Sequence, residues 1–264
     1  DDMADDDLYD LEGNLHHLSE LKGKYLLLDF WSSGCGPCIM ALPEMGELQQ
    51  KYADKLTIVS LSSDTEKTWK AASARHKMTW KNWSDKKQTG GLYAQYGVRG
   101  IPHYVLISPE GKMVDAWSGY GKGSLLQKIR PYMHPKPAMS MEKKEGVLLV
   151  NYPDYQANKT NGVLEIKQVE STPKATILRF KAYYTPNYWI RIAKEASLST
   201  PDGKQYKVLK TDGITLGKEF FMPESGEAEF SLTFEPLPKD ARTFTFQEGV
   251  GENVWAITGI KLVK

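Results

Sequence analysis

A chain of 264 residues is longer than one small domain needs and fits two domains of ordinary size. Its 41% hydrophobic and 25% charged residues exclude a disordered chain, and a net charge of +1 excludes the basic field that nucleic-acid binding requires. No apolar run is long enough to cross a bilayer, since the longest, Tyr25 to Trp31, is interrupted by Asp29 and reads as a buried strand. The chain begins Asp-Asp-Met-Ala-Asp-Asp-Asp, without an initiator Met or leader. The expectation is a chain trimmed of any targeting segment, with a solvated, frayed acidic start.

Leu8 to Leu21 predicts a short strand and a turn around Gly13. Tyr25 to Trp31 is continuous and apolar, as expected of a central strand covered on both faces. Ser32-Ser33-Gly34 breaks it, and Pro37 then starts a helix at the position that tolerates proline best. Cys38, Ala41, Leu42, Met45, Leu48 and Tyr52 recur at helical spacing along that helix, with a kink expected at Pro43. A strand over Leu56 to Leu61, a helix over Thr65 to Lys77, a short strand over Trp80 to Trp83 and a helix over Thr89 to Tyr96 follow. His103 to Ile107 and Lys112 to Trp117 form a hairpin about Ser108-Pro109-Glu110-Gly111, and Ser124 caps a last helix reaching Tyr132. Alternating strands and helices closed by a hairpin imply an α/β fold with a mixed central sheet and flanking helices.

Pro131, Pro135 and Pro137 mark a linker, dividing the chain into residues 1–138 and 139–264. Beyond it the helical period disappears. Phe230 to Phe234 and Thr243 to Phe246 alternate strictly, with further strands over Leu164 to Val169, Thr176 to Tyr183, Trp189 to Ile192, Lys204 to Leu209 and Val254 to Ile260. Turn signals between them, such as Asn161-Gly162 and Asp212-Gly213, argue for an all-β sandwich of immunoglobulin-like character. Its aromatics Tyr183, Tyr184, Tyr188, Trp189 and Trp255 are expected to fill the core, with a binding face as the alternative.

The chemistry concentrates in two cysteines, the only ones present, at Cys35-Gly36-Pro37-Cys38. With no others to build a stapling framework, the pair is redox-active, metal-binding or inert. The first sulfur sits at a helix N-terminus, where unpaired amides and the macrodipole favour a thiolate. The second follows one turn later on the same face, close enough to close a disulfide. Zinc needs two more ligands, and His16, His17, His76, His103 and His134 show no partnered spacing. Gly119-Tyr120-Gly121-Lys122-Gly123-Ser124 misses the phosphate-loop spacing and reads as a turn with a helix cap.

Asp29 to Cys38 resembles the active-site segment of thioredoxins, and Gly100-Ile101-Pro102 resembles the loop that carries the superfamily's cis-proline. The resemblance covers Leu8 to Tyr132, and the added segment from Asp64 to Tyr96 is similar to bacterial envelope reductases of the TlpA and ResA type. It implies a thioredoxin fold and a thiol-disulfide oxidoreductase, with Cys35 attacking and Cys38 resolving. No cofactor is implied. The implied partners are disulfide-containing protein substrates and an upstream dithiol donor, in the periplasm or cell envelope. Trp31, Gly36, Pro37, Ile101 and Gly119 are expected to form the contact patch around Cys35, with Pro102 in the cis form. The envelope reductases usually carry a glutamate where this chain has Ala41, whereas Asp29 matches the buried aspartate of thioredoxins. Burial of Asp29 predicts a raised pKa and proton exchange with Cys38. His103, next to the proline, carries a lesser expectation of a redox role. A peroxide-reducing thiol enzyme and a redox-regulated adaptor whose β domain docks a client are the alternatives.

Overall fold

The computed structural model describes all residues from Asp1 to Lys264. The chain divides into two compact units, Asp1–Ile129 and Arg130–Lys264.

The first unit opens with a two-stranded hairpin, β1 (Leu8–Tyr9) and β2 (Leu15–His16). The acidic start is pinned rather than frayed. Asp5 accepts from the Leu18 and Ser19 amides at 2.8 and 3.0 Å, where the first turn of a 3-10 helix has orphan donors. Asp6 meets Lys87 Nζ at 2.6 Å and Asp7 meets His17 Nε2 at 2.7 Å, so the negative charges each find a local partner.

Then follow β3 (Tyr25–Trp31), α1 (Gly36–Met40), α2 (Leu42–Lys51), β4 (Leu56–Ser62), α3 (Glu66–Arg75), β5 (Lys81–Trp83), α4 (Gly91–Gln95), β6 (His103–Ile107), β7 (Met113–Ser118) and α5 (Ser124–Met133). The sheet order is β5-β4-β3-β6-β7, with β3, β4 and β5 parallel and β6 and β7 antiparallel to their neighbours. This is the mixed sheet of a thioredoxin-like fold, with β3 at its centre. Leu26, Leu28 and Phe30 enter one core with Leu8, Leu18, Leu92 and Tyr93. Trp31 enters a second cluster with Cys38, Trp69 and Ala72. Because side chains alternate across a strand, Leu27 and Asp29 share the face of Trp31.

The single kinked helix expected after Pro37 is two helices divided at Ala41. Pro43 has no N–H to return to the Ile39 carbonyl, so the hydrogen-bond ladder is interrupted just ahead of it. Ala41 stays near helical geometry, at φ −76° and ψ −18°, and the two helices run on from one another.

The second unit holds β8 (Ser140–Lys144), β9 (Val147–Asn151), β10 (Ala157–Asn158), β11 (Leu164–Ser171), β12 (Thr176–Tyr183), β13 (Trp189–Ile190), β14 (Ser197–Ser199), β15 (Gln205–Asp212), β16 (Phe220–Phe221), β17 (Glu227–Phe234), β18 (Thr243–Gln247) and β19 (Ala256–Lys261). Ten of these strands follow one another as β10-β19-β18-β14-β15-β17-β12-β11-β9-β8, and β13 pairs with β16 separately. Strand β15 serves two neighbours in succession: Gln205 to Lys207 pair with β14, and Val208 to Asp212 pair with β17 across a register shift. The sheet therefore folds over on itself into two facing layers, the all-β sandwich. Phe180 on β12 meets Phe246 on β18 at 5.0 Å between ring centres, and Phe234 meets Phe246 at 6.3 Å. These contacts are the sandwich core. Pro131 lies inside α5, and the extended stretch before β8 is tied down by Lys136 Nζ, which donates to the Tyr152 carbonyl at 2.7 Å.

Candidate active site

Cys35 is the N-cap of α1, in extended geometry at φ −97° and ψ 100°. The Cys38 amide donates to Cys35 Sγ at 3.3 Å. The two sulfurs are joined, with S–S 2.11 Å and Cα–Cα 5.3 Å. Burial separates them. Cys38 is fully buried beneath Trp31 and Trp69, whereas Cys35 is half-buried beside exposed Gly34, Gly36 and Pro37. An N–H pointing at an N-cap sulfur stabilises negative charge there more than it stabilises a neutral thiol.

The loop that delivers Cys35 is held from the end of β4. The Ser33 amide donates to Asp64 Oδ2 at 2.8 Å, and the Ser63 amide donates to the Trp31 carbonyl at 3.0 Å. Opposite the cysteines, the Ile101–Pro102 peptide is cis. Ile101 packs against the cluster that includes Cys35, and the Gly119 amide donates to the Pro102 carbonyl at 2.8 Å. The residues expected to form the contact patch differ in exposure. Gly36, Pro37 and Gly119 are exposed and Ile101 is half-buried, but Trp31 is not at the surface. As the last residue of β3 it points into the sheet face under α1, where it supports Cys38 rather than touching a partner.

Asp29 is completely buried. Ser60, its register partner on β4, donates its hydroxyl to Asp29 Oδ2 at 2.7 Å. Oδ1 has no partner. Burial pushes the carboxyl up to about 7, against a smaller downward pull from the Ser60 hydrogen bond. Asp29, on the sheet face that carries Cys38, is a group able to hold or release a proton near neutral pH.

His103 does not join the site. It pairs across the sheet with Phe30, packs on that ring at 5.9 Å, and places Nδ1 2.7 Å from Ser118 Oγ. Phe30 belongs to the opposite core, so the histidine is on the far face from Cys38.

Three residues were missed by sequence reasoning. Ser60 and Trp80 stand behind Asp29. Glu44, on α2, occupies the glycine loop before α5: its carboxylate accepts from the Gly123, Leu125 and Leu126 amides at 2.6, 2.9 and 3.3 Å. That loop is therefore filled by the protein's own anion. A polar Ser60 inside the run Leu56-Thr57-Ile58-Val59-Ser60-Leu61 was a usable signal, whereas Glu44 has no local signature. In the second unit, Tyr188 and Trp189 are 46% exposed, so these two rings do not fill the core as expected, and Phe221, the register partner of Trp189, is 61% exposed. The Trp189 side of β13 faces away from it, and Ile190 alone points inward.

The model of the AhpC/TSA family matches residues 1–116. Among curated proteins, the ResA thiol-disulfide oxidoreductase of Bacillus cereus is 36% identical over 128 residues, covering 46% of this chain and 73% of its own. The thioredoxin-like protein YneN of Bacillus subtilis is 34% identical over 113 residues, 41% of this chain and 65% of its own, and this chain spans less than two thirds of the first curated relatives it matches. The thioredoxin domain of a thiol-disulfide oxidoreductase from Bacteroides vulgatus aligns with 50% of this chain and 95% of its own, at 30% identity and a TM-score of 0.46. The family model falls on the half that carries the Cys35–Cys38 pair, and the chain belongs to the thioredoxin-like AhpC/TSA family, among the ResA-type thiol-disulfide oxidoreductases.

Proposed function

We propose that the chain reduces disulfides of protein substrates in a bacterial cell envelope, and is itself returned to the dithiol by an upstream thiol donor. The observation that carries this reading is the asymmetry of the pair: a half-exposed Cys35 at a helix cap, accepting an N–H, and a fully buried Cys38 one turn later. The reduced Cys35 thiolate attacks a client disulfide, forming a mixed disulfide and releasing one client thiolate. Cys38 gives its proton to Asp29 and attacks Cys35 Sγ. The Cys35–client bond breaks, and the second client thiolate leaves with both electrons delivered. No cofactor is required, since the electrons are held in the thiols. The envelope location is supported by the resemblance to ResA-type proteins.

Equilibration of the full chain with glutathione tests the direction of exchange. A reductase should lie near the potential of thioredoxin, about −270 mV, and a value above roughly −180 mV rejects the reading. Steady peroxide consumption without a protein thiol partner would favour the peroxide-reducing alternative.

A second reading is favoured by the exposed Tyr188 and Trp189, which line an open cleft with Arg191, Asn253 and Trp255. In it the sandwich docks a client and the redox pair regulates that contact. Its test is whether a client captured by a Cys38→Ser variant binds the oxidised and reduced wild-type chains with different affinity.

A further inference from the structure

Asp29 is embedded in a short directed chain of hydrogen bonds. Trp80 Nε1 donates to Ser60 Oγ at 2.8 Å, and Ser60 Oγ donates to Asp29 Oδ2 at 2.7 Å. An indole N–H is a donor only, so Trp80 takes a lone pair of the Ser60 oxygen and leaves the hydroxyl hydrogen free for the carboxylate. Asp29 Oδ1 is buried with no partner. A carboxyl group whose Oδ2 already accepts a hydrogen bond keeps its own proton on the other oxygen.

We propose that Ser60, aimed by Trp80, is a positioning residue that keeps Asp29 Oδ2 an acceptor, so that the proton exchanged with the Cys38 thiol is carried on Asp29 Oδ1. The step is balanced: the Cys38 S–H bond breaks, the Asp29 Oδ1–H bond forms, and the resulting thiolate displaces the client sulfur from Cys35. This rests on the reading of Asp29 given under the proposed function.

The surroundings leave Ser60 as the lever. From β6, Tyr104 is the register partner of Asp29 and its hydroxyl is also without a partner. From α4, the Tyr93 hydroxyl is committed to the Leu61 and Trp31 carbonyls at 2.6 and 2.9 Å. Both phenols are pushed up by burial and by the Asp29 charge, so they remain neutral. Glu44 adds a distant negative charge beside Tyr104. Tyr120 also acts on Tyr104, and the Cys38 thiol on α1 packs on the Trp31 face and becomes titratable once the disulfide is reduced. No lysine or arginine acts on the carboxyl: burial and the Ser60 hydrogen bond are its two influences.

The test is an infrared titration of the Asp29 carboxyl band in the oxidised full chain, with Asp29→Asn as the blank, paired with the pH profile of mixed-disulfide resolution. Removing a hydrogen bond to the charged form raises the midpoint, so Ser60→Ala should move it alkaline by about one pH unit or more. Ser60→Thr, which keeps a hydroxyl, should restore it. Trp80→Phe, which keeps a ring and removes the donor, should shift it less in the same direction. An unmoved band in both Ser60→Ala and Trp80→Phe overturns the proposal while leaving Asp29 itself untouched. A band that shifts while the resolution profile stays in place means instead that Asp29 is not the proton acceptor, and the reading beneath the proposal fails.

Discussion

The carboxylate of Glu44, on the helix behind the cysteines, accepts from the Gly123 backbone amide at 2.6 Å and so closes the N-terminus of α5. The donors left unpaired by the first turn of α5 are thereby satisfied from 79 residues away. Burial of Glu44 nevertheless pushes its carboxyl above the ordinary range, with the three amides and the Tyr120 hydroxyl pulling the other way. Glu44→Ala should destabilise the chain by about 2 kcal/mol in urea unfolding, the size of a lost cap plus a partly buried charge–dipole contact. Glu44→Gln, which keeps an acceptor oxygen, should lose less. An unchanged unfolding midpoint for Glu44→Ala would mean that water satisfies these amides equally well.

Asp29 makes folding stability pH-dependent in a direction opposite to most carboxylates. Its folded-state value is raised from 3.8 to about 7, so the folded chain holds a proton that the unfolded chain has already released. Stability is therefore fully present below pH 4 and falls as pH rises through that window, because ionising the buried carboxyl is costly. Between pH 5 and 8 the loss from this one group should be about 2–3 kcal/mol. Urea titrations of the oxidised chain at the two pH values measure it. Asp29→Asn should flatten the difference, and a wild-type chain more stable at pH 8 than the variant comparison allows would contradict the assignment.

Much of the first unit was legible because its signals are local. The apolar run Tyr25 to Trp31 gave β3 with its bounds, and Cys35-Gly36-Pro37-Cys38 marked the turn into α1. The hairpin of β6 and β7 followed from Ser108 to Gly111. What stayed hidden depends on partners distant in sequence. Trp31 is aromatic and adjacent to the motif, yet strand parity turns it inward. Glu44 looked like any surface glutamate, and the acidic start looked unstructured because its partners, Lys87 and the amides of Leu18 and Ser19, cannot be paired with it by spacing. In the second unit the hairpin of β8 and β9 was missed, since Ser140 to Lys144 is polar and follows directly on the prolines. Strand β15 reads as one alternating segment, and nothing within it announces that it serves two layers.

The central claim is the division of labour between the two sulfurs, and trapping measures it most directly. The reduced full chain carrying Cys38→Ser is mixed with a disulfide-bonded protein, and adducts are located by peptide mass spectrometry. Cys35 is the half-exposed, N–H-stabilised sulfur and Cys38 is buried, so one stable adduct per chain should form on Cys35. The Cys35→Ser chain should form essentially none. Adducts on Cys38 in the Cys35→Ser chain at a comparable rate, or no adduct on Cys35 when Cys38 is absent, would contradict the account.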